Sequence, residues 1–221
     1  MERRGLALVF AVLGLICLGY AGLSQQWLGN VGYSAEVGVG LRDAYACDDH
    51  GSRCETIDDD ELVDRYEARV NAPRHFPEGK ADAGSGDDTF ASPWDRVLPK
   101  PGLLDHASGI FPAAGMATFV LIAIAMLMMF VAAAIAAAGR RPQLPVSPCS
   151  LAVIALALDL LSAIVFVTTK PGPTSMLGVG TAFWVFGGGV LVAMAGSLFL
   201  ARAIRPHDPD LLEDAIDPED Y

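Results

Sequence analysis

The chain has 221 residues, 52% of them hydrophobic, with a formal net charge of −11 and a mean hydropathy of +0.40. So much apolar surface exceeds what a single soluble core can bury, which excludes an ordinary water-soluble domain. Residues 24–109 hold 17 acids against 8 Lys/Arg, and residues 202–221 hold 7 against 2; nucleic acid and anionic headgroups are excluded as partners, while basic protein patches and weakly bound cations fit.

The first element is an apolar run from Gly5 to Leu23, and three more follow at Ile110 to Ala138, Leu151 to Thr169 and Met176 to Ala201. Their lengths are 19, 29, 19 and 26 residues, and Asp159 is the single Asp, Glu, Lys, Arg or His among them. At ~1.5 Å per residue the shortest reaches about 28 Å, close to the ~30 Å hydrocarbon core. Backbone groups in lipid must bond internally, so each run is predicted to be a helix. Residues 1–23, 110–138, 151–169 and 176–201 are thus read as transmembrane helices 1 to 4.

Short loops set the orientation. Arg3 and Arg4 precede the first span, Arg140 and Arg141 lie in the 139–150 loop, and Arg202 and Arg205 open the 202–221 tail. Positive charge near span ends stays cytoplasmic. Both termini are therefore expected inside a plasma or inner membrane, with residues 24–109 and the 170–175 turn on the opposite face. A cleaved signal peptide over residues 1–23 competes, but the run is long for one and no A-x-A site follows.

The outer loop begins with Trp27 and continues as GNVGYSAEVGVGLRDAYAC, which alternates small, β-prone and aromatic residues. It closes on CDDHGSRC, a turn between Cys47 and Cys54, so residues 24–72 open as a small antiparallel sheet ending in a hairpin. The six-residue spacing suits a disulfide in an oxidising compartment. Zinc held by Cys47, His50 and Cys54 is the competing reading, without a fourth ligand at a convincing spacing.

After Cys54 the period changes. ETIDDDELVDRYEARV places Leu62, Tyr66 and Val70 on one face, with Asp58 as cap, Glu61 at the third helical position and a Glu61–Arg65 pair one turn apart. Asp58, Asp59 and Asp60 are expected on a solvated acidic surface, since the D-x-D-x-D-G pattern of a calcium loop is missing. Tyr45 joins them as a candidate interaction residue. Residues 73–109, rich in Pro, Gly, Asp and Ser around Gly84 to Gly86, read as a flexible connector. Trp94 is expected as a headgroup anchor.

The order of span, Trp27, Gly40-Leu41, Cys47, Cys54, acidic helix and three further spans resembles the claudin and peripheral-myelin-protein superfamily. Arg42 stands where the family pattern has a second Trp. The resemblance implies an all-α membrane four-helix bundle with a small extracellular β-sheet and short helix, used for lateral or cell-to-cell contact.

The last span carries Gly189, Ala193 and Ser197 one turn apart, which lets helices approach closely, within the chain or between copies. Partners are thus expected to be lipid, other membrane proteins, or a second copy through the outer loop or this Gly-rich helix. Asp159 is expected to face the bundle and to bond with Tyr20, Thr118, Ser162 or Ser197; a transport pathway is the alternative. No catalytic motif, metal site or cofactor motif is found.

Overall fold

The computed structural model describes residues 2–30, 37–47, 53–71, 92–94, 108–138, 147–172 and 177–204. His50, the Gly84 to Gly86 stretch, Arg140, Arg141 and the tail from 205 onward lie outside the described residues. In chain order the elements are α1 (Glu2–Leu23), β1 (Leu28–Asn30), β2 (Val37–Val39), β3 (Asp43–Cys47), β4 (Cys54–Asp58), α2 (Asp59–Asn71), α3 (Ile110–Ala138), α4 (Pro148–Thr168), β5 (Leu177–Val179) and α5 (Thr181–Ile204).

Helices α1, α3, α4 and α5 are long and apolar enough to cross a membrane. They are apolar all round, and large side chains point outward, with Trp184 and Leu191 each 70% exposed. Such a surface is stable only when covered, and a bilayer is the solvent that covers it. The protein is an integral membrane protein.

Small residues decide which helices touch. A Cβ added to Gly14 of α1 would stand 2.9 Å from the Ala193 Cα of α5, and one on Gly196 would stand 3.0 Å from the Ala11 nitrogen. Gly189 likewise abuts Cys17. The Gly189 and Ala193 face is therefore spent on α1, within the chain. On the other side of the bundle α3 and α4 stack Phe111 on Phe166, ring centroids 4.5 Å apart.

The strands form one antiparallel sheet in the order β4-β3-β2-β1-β5. β5 is the departure from expectation. Leu177 to Val179, apolar enough to be read as the start of the last span, are a strand paired with Asn30 to Leu28. Gly178 and Gly180 are poor helix formers, and the backbone bonds that a helix would supply are taken by β1. Gly180 then donates to the Trp27 carbonyl at 2.8 Å, and Ala182, at the start of α5, donates to the Gln26 carbonyl at 3.1 Å. One of the helix's unpaired N-terminal donors is thereby satisfied. The sheet is in this way tied to both the first and the last span.

Candidate functional site

Trp27 is the pivot between sheet and bundle. Its indole Nε1 donates to the Ala21 carbonyl at 2.6 Å, and its ring meets Phe166, Phe183 and Phe186. Its backbone N–H donates to the Val39 carbonyl at 3.0 Å, so two carbonyls hold its N–H groups while three aromatic rings pack around the indole. Gly40 donates to the Asp43 carbonyl at 2.7 Å, which closes the turn between β2 and β3. That turn presses the buried Leu41 onto α3.

The β3–β4 hairpin pairs Asp43 with Asp58 at one end and Cys47 with Cys54 at the other. The two cysteines form a disulfide across the register, with Cα atoms 4.0 Å apart. Oxidised cysteines are not thiolate ligands, so the zinc reading is set aside. Among the described residues no group of three or more His, Cys, Asp or Glu is placed to hold a metal ion. Tyr45 is half-buried opposite Gly38. Its ring fills the space a Cβ at position 38 would take, so it serves the sheet as well as any outer surface.

β4 runs into α2 without a linking residue. Asp58 ends the strand and the helix begins at Asp59, whose N–H donates to the Arg42 carbonyl at 3.3 Å. Asp58 and Asp60 remain exposed, as expected. Asp59 does not: it is 3% exposed, and neither carboxylate oxygen has a hydrogen-bond partner among the described residues. The expectation of a solvated Asp59 is overturned because the first helical residue turns toward the bundle when the strand feeds it directly. Burial, then Asp43, Asp60 and Asp58, push its pKa up to about 7 from the usual 3.8.

These residues line a cleft of about 490 Å³ between the sheet and the first turns of α3. Asp58, Asp59 and Asp60 form one wall, while Leu41, Pro112 and Met116 supply an apolar one. Arg42 lies at the same cleft, its guanidinium carbon 5.0 Å from the centre of the Phe119 ring. That cation–π contact fixes a positive charge beside three carboxylates.

The rest of α2 is set by Arg65, which bridges Glu61 at 2.7 Å and Glu55 at 2.9 Å. The Glu61 pair is the one expected from spacing; Glu55 joins from β4. Leu62 and Tyr66 are buried as the periodicity predicts. Trp94 is not a headgroup anchor. It is buried, with its indole N–H donating to the Glu55 carbonyl at 3.3 Å, so this part of the 73–109 connector belongs to the folded sheet domain. Ser92 adds hydrogen bonds to Arg65 and Glu55.

Asp159, near the middle of α4, is fully buried and without a hydrogen-bond partner among the described residues. The expected bonds are not formed. Thr118 and Ser162 both donate to the Ala114 carbonyl, at 2.9 and 3.1 Å, Tyr20 faces outward, and Ser197 is buried without a partner among the described residues. Hydroxyls on helices bond readily to a nearby carbonyl, and here that contact takes the Thr118 and Ser162 donors that Asp159 would need.

No protein-family model matches the chain, and no curated protein matches it either.

Proposed function

We propose that the protein is a non-catalytic four-span membrane protein that works by contact, presenting an acidic, disulfide-closed domain to a basic surface on another membrane protein or on a neighbouring cell. One observation carries this reading: β5 joins β1, so the sheet is continued into the last span and tied to the first. A domain held at both ends presents one fixed surface, which is what specific contact requires. Its exposed acids on α2, Asp60, Glu61, Asp64 and Glu67, give that surface its sign. The resemblance to the claudin superfamily in the order of spans, Trp27, Gly40-Leu41, Cys47 and Cys54 supports the same reading. So does the arginine distribution, which puts the sheet domain outside and both termini inside.

The test is cross-linking of the intact protein in its own membrane. Reversal of Asp64 and Glu67, exposed acids of α2 outside the cleft, to Lys is expected to abolish partner cross-links, while deletion of Ala81 to Asp88 leaves them intact. The opposite pattern would assign recognition to the connector. A thiol probe at Ser85 is expected to react in intact cells and one at Gln143 only after permeabilisation; the reverse overturns the orientation.

A second reading, transport through the bundle, rests on Asp159. A buried carboxylate without a partner among the described residues is a place where a proton or cation can bind. It separates from the first by flux measurements on Asp159→Asn in vesicles.

A further inference from the structure

The cleft under α2 has a composition unlike the outer face. It combines three carboxylates, one guanidinium and an apolar wall, and it opens at the first two turns of a membrane span. That depth is where lipid headgroups lie. Asp59 supplies an observation independent of the acidic cluster: the residue is 97% buried, lines the cleft, and its two carboxylate oxygens are buried with no hydrogen-bond partner among the described residues. A buried acceptor pair of this kind is costly until a donor reaches it. Arg42, on the same cleft, makes no salt bridge among the described residues.

From the cleft an exposed apolar row descends α3 through Met116, Val120, Ile124 and Leu127. These positions follow one another by one helical turn, so they form a continuous track into the bilayer. A ligand that fits both parts has a primary ammonium, an adjacent anion and a hydrocarbon chain.

We propose that the cleft binds the phosphoethanolamine headgroup of an aminophospholipid, its ammonium donating to Asp59 between Asp58 and Asp60, its phosphate at Arg42, and an acyl chain along the α3 track. The chemistry excludes the other common headgroups. Choline carries no N–H to offer Asp59, and quaternary ammonium groups are held by aromatic cages, whereas none of the described residues lining this cleft is aromatic. Serine shares the primary ammonium but adds a carboxylate, and serine, glycerol and inositol headgroups all carry net negative charge toward three aspartates. A bare metal ion does not suit the spacing of the described acids. The site does not rest on the contact reading; it holds whether or not the outer face meets a partner.

The experiment uses the full chain in nanodiscs of phosphatidylcholine doped equally with phosphatidylethanolamine and phosphatidylglycerol, followed by gentle extraction and native mass spectrometry of retained lipid. Phosphatidylethanolamine is expected to be enriched on the protein about tenfold over its bulk share, the effect of one charge-assisted hydrogen bond. Asp59→Asn and Arg42→Gln are each expected to remove most of that enrichment. Asp60→Asn, at an exposed position where folding is unaffected, should reduce it, and Asp64→Asn, outside the cleft, should not. Soluble phosphoethanolamine at matched concentration should fail to displace the lipid; displacement would overturn the lipid assignment in favour of a small soluble ligand. Equal retention of phosphatidylcholine and phosphatidylethanolamine, or unchanged enrichment in the Asp59, Asp60 and Arg42 variants together, would overturn the site.

Discussion

The carbonyl of Leu41 lies directly on Gly115, so closely that a Cβ added at 115 would be 2.5 Å from its oxygen and 3.0 Å from the Phe166 ring. This contact seats the β2–β3 turn, and with it the sheet domain, on α3. Because the obstructing atom is backbone, it cannot step aside by changing rotamer. Gly115→Ala is therefore expected to cost about 1–3 kcal/mol through overpacking, read as a lower unfolding temperature in detergent. Gly187→Ala, where an added Cβ meets nothing within 4 Å, is the control and should be neutral or mildly stabilising. Equal effects at the two sites would mean that Gly115 is not a seat.

Asp59 makes the sheet domain sensitive to pH near neutrality. Its folded pKa is about 7, against an ordinary 3.8, so the native state holds this proton more tightly than the unfolded chain does. The stabilisation is fully present below about pH 4 and is lost as pH rises through about 7. The groups around it are Asp43, Asp58 and Asp60, with Arg42 on the same cleft. In detergent free of aminophospholipid, Asp59→Asn is expected to gain stability over wild type as pH goes from 5 to 8, by roughly 2 to 4 kcal/mol at the upper end. Parallel pH profiles for the two proteins would show that Asp59 is solvated.

The parts legible in sequence and the parts that were not differ in the range of the interactions that set them. The four spans rest on runs of 19 or more apolar residues, and a bilayer leaves such runs one conformation. The Cys47–Cys54 bridge and the Glu61–Arg65 pair are local, fixed by spacing along a hairpin and a helix. Asp59 misled because three consecutive aspartates look alike in sequence, while only the direct passage of β4 into α2 turns the middle one inward. β5 was hidden inside an apolar stretch whose strand state depends on a partner about 150 residues earlier in the chain. Trp94 read as a membrane anchor because nothing near it in sequence announces the carbonyl of Glu55.

The disulfide is expected to stabilise the sheet domain without holding the bundle. It closes a loop of sequence separation 7, worth about 2 to 3 kcal/mol if loop entropy dominates. Cys47→Ser should expose the β3–β4 hairpin to hydrogen exchange while amides of α3 and α4 keep their protection. Loss of helix protection at the same rate would show that the sheet and the bundle unfold as one unit.

Asp159 is the remaining test of how the bundle is used. A carboxylate that is fully buried, among apolar helices and without a described hydrogen-bond partner, contributes no bond that its removal would break. Desolvation without compensation makes it a cost to the fold. Asp159→Asn, nearly isosteric and uncharged, is thus expected to leave stability unchanged or raise it, by about 1–3 kcal/mol where the carboxyl would otherwise ionise. Under the contact reading the same variant keeps its partner cross-links, since Asp159 lies inside the bundle and the exposed acids are on α2. Under the transport reading its proton or cation flux in vesicles collapses. A variant that unfolds more readily than wild type would contradict the stability expectation, because it would show that the Asp159 carboxyl contributes a bond to the fold.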